Sequence, residues 1–369
     1  MKLNLSKLTI LSIFAGMLVI SSCENEVDIF APQSDVTLVY GLLNVDDTLH
    51  QIKINRVFQG EKGLAELAQD PTVSEYDNIN AQVIELEKQG LDTVETGRSW
   101  TLTEVTVTNK DSGYFYYPDQ KIYQFNAVLL KTKFYKIVID KMNETPMVES
   151  TTEVLGKYGD ILIKPLGLNF IGLGLSDKDG PIDKITLEMN LPTNGKIIEV
   201  YLDFTYRDEY MDGSMSEYKT ISYKVGTYVA PNLSRNPDKP SKVFGSLVPV
   251  SFYEFIAGKV PVVEQGSNIK QRIPNQPILD NMPLKFRYVV GGDQFNTYLE
   301  VASPSTSILE TKPEYTNVKN GVGLFSCRTF EFTDSKLSNN SWEYLVNGEI
   351  LEGRRFCDAV NSSSSNPCY

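Results

Sequence analysis

From Val36 onward, apolar and polar residues alternate in the rhythm of strands. Val36-Thr37-Leu38-Val39-Tyr40-Gly41-Leu42-Leu43 is mostly apolar, as a largely buried strand is. Asn44-Val45-Asp46-Asp47 supplies turn residues. His50 to Phe58 then alternates, which predicts a strand with one wet face. Gly60 to Asn78 is an excursion with a short helix over Gly63–Gln69. Strands are expected at Ala81–Lys88, Thr101–Thr108, Tyr114–Tyr117, Ile122–Phe125 and Phe134–Asp140. Glu149 to Val154 closes the series. Short strands separated by turns predict a β-sandwich.

A Gly- and Leu-rich stretch, Leu155 to Gly174, marks a boundary. Beyond it, strands at Ile182–Met189, Lys196–Arg207 and Glu217–Val229 predict a meander, with turns at Pro192–Gly195 and Asp212–Ser214. Val250–Lys259 reads as a short helix and Leu284–Val290 as a strand. Asp293 to Ser303 has helical spacing, with Phe295, Tyr298, Leu299 and Ala302 on one face and Asp293 placed to cap. Asn317 to Phe332 is Gly-rich and then strand-like, and Ser338–Val346 is another helix. No internal repeat is visible. The expected fold class is mainly β: a sandwich over residues 35–155, then a β-rich α+β domain with a few short helices over 156–369.

The first 22 residues read differently. Lys2 and Lys7 precede an apolar run from Leu8 to Ile20. It is shorter than the roughly 20 apolar residues of a membrane-spanning helix and fits a signal-peptide core. Val19-Ile20-Ser21-Ser22-Cys23 resembles the bacterial lipobox, which implies lipidation of Cys23. Residues 23–34 would then form an acidic tether. Glu24, Glu26 and Asp28 behind the cysteine resemble the surface-export signal of Bacteroidota lipoproteins.

The chain carries 35 Lys+Arg against 47 Asp+Glu, a net charge of -12 with no basic run, which argues against nucleic-acid partners. Besides Cys23, the cysteines are Cys327, Cys357 and Cys368. A bridge outside the inner membrane can persist. Cys357 and Cys368 close a short polar loop and are expected to pair, leaving Cys327 as a packed free thiol. Cys327 with Cys357 is the open alternative.

Chemistry-bearing motifs are sparse. His50 is the only histidine, and no Gly-x-Ser-x-Gly elbow accompanies it, so a triad has no ready parts. A surface or half-buried imidazole is expected. One His and three scattered Cys do not make a zinc site, and neither a metal nor a cofactor is expected. Asp177-Lys178-Asp179-Gly180-Pro181-Ile182-Asp183 partly matches a calcium loop but lacks its terminal Glu, and a polar hairpin turn is the favoured reading. Asp208, Glu209 and Asp212 form a second acidic cluster. Carboxylate pairs for glycoside hydrolysis depend on separation in space. Tyr114, Phe115, Tyr116 and Tyr117 are candidate ligand-binding aromatics for a sugar or a protein partner. Against this stands a strand with one aromatic face in the core. Asp47-Thr48-Leu49 and Asp92-Thr93-Val94 resemble Bacteroidota O-glycosylation acceptors, and modification of Thr48 or Thr93 is open.

Three segments behind the lipobox carry a wider resemblance: Leu38–Leu43, Tyr135–Ile139 with Val148–Thr152, and Asn317–Phe325. In that order they resemble a family of uncharacterised Bacteroidota outer-membrane lipoproteins, often encoded beside TonB-dependent receptors. The resemblance implies an N-terminal immunoglobulin-like sandwich, a mixed second domain and no established catalysis. The function expected is a non-catalytic protein anchored in the outer membrane by lipid, facing the cell surface and working with a TonB-dependent receptor. A fimbrillin-like structural subunit is the alternative, and a surface glycosidase or protease ranks last.

Overall fold

The computed structural model describes residues 36–57, 63–108, 110–131, 133–142, 146–156, 164–165, 172–234, 236, 239–275, 282–302 and 314–357. The fold is mainly β. Two sheets build the N-terminal part. One runs β1 (Thr37–Leu43), β2 (Leu49–Arg56), β6 (Gln120–Asn126), β5 (Thr103–Val107). The other runs β4 (Asp92–Thr101), β3 (Asn80–Gln89), β7 (Phe134–Asp140), β8 (Val148–Glu153). All neighbours within these two sets are antiparallel. Lettered in chain order, they read A-B-E-D against C′-C-F-G, the immunoglobulin-like order.

Alternation drives this arrangement. Val39, Leu43, Ile52 and Ile54 point inward from one sheet, Val83, Tyr135, Ile137 and Ile139 from the other, and all are fully buried. At the start of β7 the Tyr135 phenol accepts a hydrogen bond from the Leu130 amide at 2.7 Å, five residues upstream. This is the tyrosine corner of such sandwiches. The same hydroxyl donates to the Glu85 carboxylate at 3.1 Å, and Arg98 pairs with that buried carboxylate at 2.8 Å.

The first sheet does not end at β1. β18 (Gly321–Ser335) pairs parallel with β1, from Thr37↔Gly321 to Leu43↔Cys327. Its second half pairs antiparallel with β17 (Leu284–Gly292). The sheet continues through β13 (Gly195–Tyr210) to β14 (Lys219–Val229), with β16 (Ile269–Pro274) also on β13. One nine-stranded sheet therefore crosses the boundary at residues 155/156, and one hydrophobic cluster runs through both parts. The strand β18 is the joint. Gly323 has φ +118°, and a Cβ there would lie 2.1 Å from the Val39 carbonyl oxygen. Only glycine lets the two backbones approach this closely.

A three-stranded sheet, β15 (Ser241–Leu247), β12 (Ile185–Leu191), β9 (Lys164–Pro165), and a hairpin of β10 (Ser176–Asp177) with β11 (Gly180–Pro181) complete the strands. Five helices are described: α1 (Leu64–Ala68), α2 (Pro71–Ser74), α3 (Pro249–Lys259), α4 (Asp293–Ala302) and α5 (Asn339–Asn347). Phe204, Phe252, Tyr253, Phe286, Tyr288 and Phe356 fill the second core.

Three sequence expectations change. β12 leaves the supposed meander for a separate sheet, and only β13 and β14 form a hairpin. β4 is a strand of exposed and half-exposed residues, without the apolar alternation that would announce it. Tyr114 to Tyr117 is a loop ending in a cis Tyr117–Pro118 bond rather than a strand. The segments that carry the family resemblance, far apart in sequence, meet at one place. β1 lies on β18, Glu149 and Lys319 exchange backbone hydrogen bonds of 2.7 and 3.1 Å, and the Ser150 hydroxyl donates to the Asn317 carbonyl at 2.8 Å.

Candidate functional site

The period of two places one set of β1 and β2 side chains outside the sandwich. Tyr40 faces Lys53 and Leu38 faces Asn55 across the pair. This outer face is a valley. On the β18 side, α4 borders it: Phe295, packed over Gly291, and Tyr298 and Val301 line the hollows. Asn296 is the one buried residue of that helix. Tyr298 donates to the Tyr40 phenol at 3.4 Å, with the rings edge to face at 6.1 Å. Burial, then the contact with Tyr298, pushes the Tyr40 phenol up to about 12. Three hollows lie along the face, of about 180, 390 and 550 Å³. The first and third share Leu38, and the second and third share Tyr40.

On the β2 side the valley is bordered by α1, α2 and the aromatic loop. Hydrogen bonds to its main chain fix this loop: the Tyr116 amide donates to the Ala68 carbonyl at 2.9 Å, Gln69 Nε2 to the Tyr114 carbonyl at 2.6 Å, and Lys110 Nζ to the Tyr116 carbonyl at 2.7 Å. Its rings stay outside. Tyr114, Phe115 and Tyr117 are 56, 51 and 46 % exposed, and Tyr116 is half-buried. Phe115 and Tyr116 line the smallest hollow together with Lys53, Arg56 and Lys110. The four aromatics named from sequence thus sit at one site, two of them on its wall. The cations were not found from sequence, because Lys53, Arg56 and Lys110 are scattered and only folding gathers them.

Other candidates resolve into structural roles. His50 is buried, not at the surface. Its ring nitrogen meets the Ala127 carbonyl at 3.1 Å and its ring lies 4.9 Å from that of Phe125. Burial lowers its pKa, against the smaller raising influence of Ala127 and Asp47. Asp177 accepts the Asp179 amide at 2.8 Å, a turn bond that accounts for Asp and Gly in this hairpin. In the second cluster, Asp208 is buried against Arg272 at 3.0 Å, Glu209 pairs with Lys270 at 2.7 Å, and Asp212 closes a turn on Ser214. Among the described residues no group of three His, Cys, Asp or Glu gathers to hold a metal. Thr48 and Thr93 are exposed.

No bridge joins two cysteines within the described residues. Cys327 is a buried free thiol that donates to the Glu153 carbonyl at 3.0 Å, and burial pushes it up to about 12. Cys357 is buried. Cys368, like Cys23, lies outside the described residues. Among the described residues no helix is long and apolar enough to cross a membrane.

No family model and no curated protein matches this chain. Among solved structures, the C-terminal globular domain of an oligosaccharyltransferase from Pyrococcus abyssi aligns over 66 % of this chain at 10 % identity and a TM-score of 0.19. The aligned part spans 45 % of that protein's chain. A likeness at this level carries no inference about function.

Proposed function

We propose that this chain is a non-catalytic binding protein, held at the outer membrane by lipid on Cys23 and facing the cell surface, where it works with a TonB-dependent receptor. The observation that carries the binding role is the valley on the outer face of β1 and β2, edged by a fixed loop of exposed aromatics. A loop whose main chain is already tied down loses little backbone freedom on binding, and large aromatic rings are residues that dominate contact energies. The nine-stranded sheet gives this face a stiff base. The single imidazole is buried on the Ala127 carbonyl where it also borders the middle hollow, and the acidic clusters serve turns and ion pairs. That favours binding over hydrolysis. The membrane and receptor parts rest on the leader and on the family resemblance. The proposed pairing of Cys357 with Cys368 would tie down the polar C-terminal tail.

A fimbrillin-like maturation fits less well. Cleavage after Lys53 or Arg56 would remove β1 and most or all of β2, two adjoining strands of the nine-stranded sheet, and take the fully buried Val39, Leu43 and Ile52 out of the core.

The test is capture of partners from detergent-solubilised outer membrane with a C-terminal tag. The expected partner is a TonB-dependent receptor, lost when Tyr114, Phe115 and Tyr117 are all changed to Ser. Recovery of a receptor by both forms, or by neither, contradicts the proposal.

A further inference from the structure

We infer that the hollow under the aromatic loop takes a single sugar ring bearing one negative charge, an inference that rests on the binding role of this face. Size comes first. Sites for drug-sized ligands run to about 300–1,000 Å³. At about 180 Å³ this hollow has room for one small ring and not for a chain.

Charge comes second. The charged residues of the lining are Lys53, Arg56 and Lys110 against Glu75 and Asp119, which leaves one positive charge. That excess is local, in a chain of net charge -12. Within the lining, the Lys53 ammonium donates to the Lys121 carbonyl at 2.7 Å and lies 3.9 Å from Glu75. Burial lowers the Lys53 pKa. Glu75 opposes this, and Lys110 and Lys121 lower it further. A single anion entering here would relieve that mutual repulsion. A phosphate monoester, with about -1.5 to -2 charges, would overshoot the balance. A neutral sugar would offer the ammonium groups hydroxyl acceptors but no opposite charge.

The wall comes third. The Phe115 ring is half exposed, and the Lys110 ammonium lies 5.5 Å from its centroid. The ammonium sits over one face of the ring, and the exposed part of Phe115 offers apolar surface next to that cation. A sugar ring presents a C–H face and, at its edge, the charged group, so ring and charge meet complementary surfaces at once. A carboxylate and a sulfate ester share this chemistry.

The experiment is a titration of the detergent-solubilised full-length protein, followed by ligand-observed NMR. The probes are methyl glucuronide, glucose 6-sulfate, glucose 6-phosphate and methyl glucoside. We expect the glucuronide or the sulfate to bind at least about tenfold tighter than the neutral glucoside and tighter than the phosphate, about 1.4 kcal/mol per tenfold. The tighter of the two identifies the charge. Lys53→Met and Phe115→Ala should each weaken binding about tenfold or more. Phe115 is exposed, so its variant keeps the fold even where Lys53→Met does not. Raising salt from about 0.05 M to about 0.5 M should weaken the charged probe alone, because screening acts on charge. Equal binding of charged and neutral sugars, lost with Phe115→Ala, overturns the charge inference and keeps the face as a binding surface. Absence of sugar binding alongside normal receptor capture overturns the inference alone. Failure of both overturns both.

Discussion

Replacing Gly323 by Ala tests the joint between the two parts of the molecule. Two costs arise at this residue. Its φ of +118° is a conformation that L side chains rarely adopt, worth about 1–3 kcal/mol. The added Cβ would also lie 2.1 Å from the Val39 carbonyl oxygen, 2.9 Å from its carbon and 3.1 Å from its nitrogen. All three are backbone atoms of β1, so no side chain can rotate away and the parallel pair itself must separate. Overpacking of this kind costs about 1–3 kcal/mol. Together the two reach about 2–6 kcal/mol, a large share of a typical stability of about 5–15 kcal/mol. With a urea dependence near 3 kcal/mol per molar, the midpoint should fall by roughly 0.7–2 M. Gly258→Ala is the counterpart. It lies in α3 with nothing within 4 Å of the new Cβ, and should raise stability by about 0.5–1 kcal/mol. A Gly323→Ala midpoint within about 0.3 M of the parent would refute the close-approach argument.

Other consequences follow from the same geometry. Asp208→Ala should destabilise by about 3–5 kcal/mol in the same assay, because it strands the buried Arg272 guanidinium; a loss under about 1 kcal/mol would show that pair to be dispensable. Because burial depresses the His50 pKa, its unfolded form binds the proton more tightly. Stability should therefore be highest above about pH 6.5 and fall as pH drops through that value, and His50→Asn should flatten this part of the profile. An identical slope in the variant would remove His50 from the account. Cys23→Ala should move the protein from the membrane fraction to the soluble one and abolish fatty-acid labelling, since the acyl chains supply the attachment; unchanged retention would contradict the anchor.

How much of this was legible in the chain differs by element. β1, β2, β3 and β7 were readable because each buries one alternating set of residues, and burial is what alternation encodes. β4 was not, because this edge strand is held by backbone pairing with β3 and buries almost nothing. Tyr114–Tyr117 misled for the opposite reason. Aromatic composition favours strands, but Pro118 follows, and hydrogen bonds from Gln69 and Lys110 hold the segment as a loop. The helical spacing of α4 was correct, yet Tyr298, Val301 and Ala302 line the valley, and only Asn296 of this helix is buried. Periodicity marks a face and is silent on what covers it. The pairing of β1 with β18 joins residues almost 300 positions apart, and no local pattern announces such a contact. The site divides likewise. Its aromatics form one run and were visible, whereas its cations come together only through the register of β2 and the path of the loop.

The outer face of β1 and β2, with its aromatic loop, is the surface proposed for partner binding. Site-specific photocrosslinking in intact cells tests it most directly. A benzophenone side chain replaces Tyr114 in one variant and Leu91 in another. Leu91 is fully exposed at the turn between β3 and β4, outside the valley. The account predicts a discrete adduct with a TonB-dependent receptor from position 114 and none from position 91. An adduct from position 91 alone, or the same adduct from both, would contradict it.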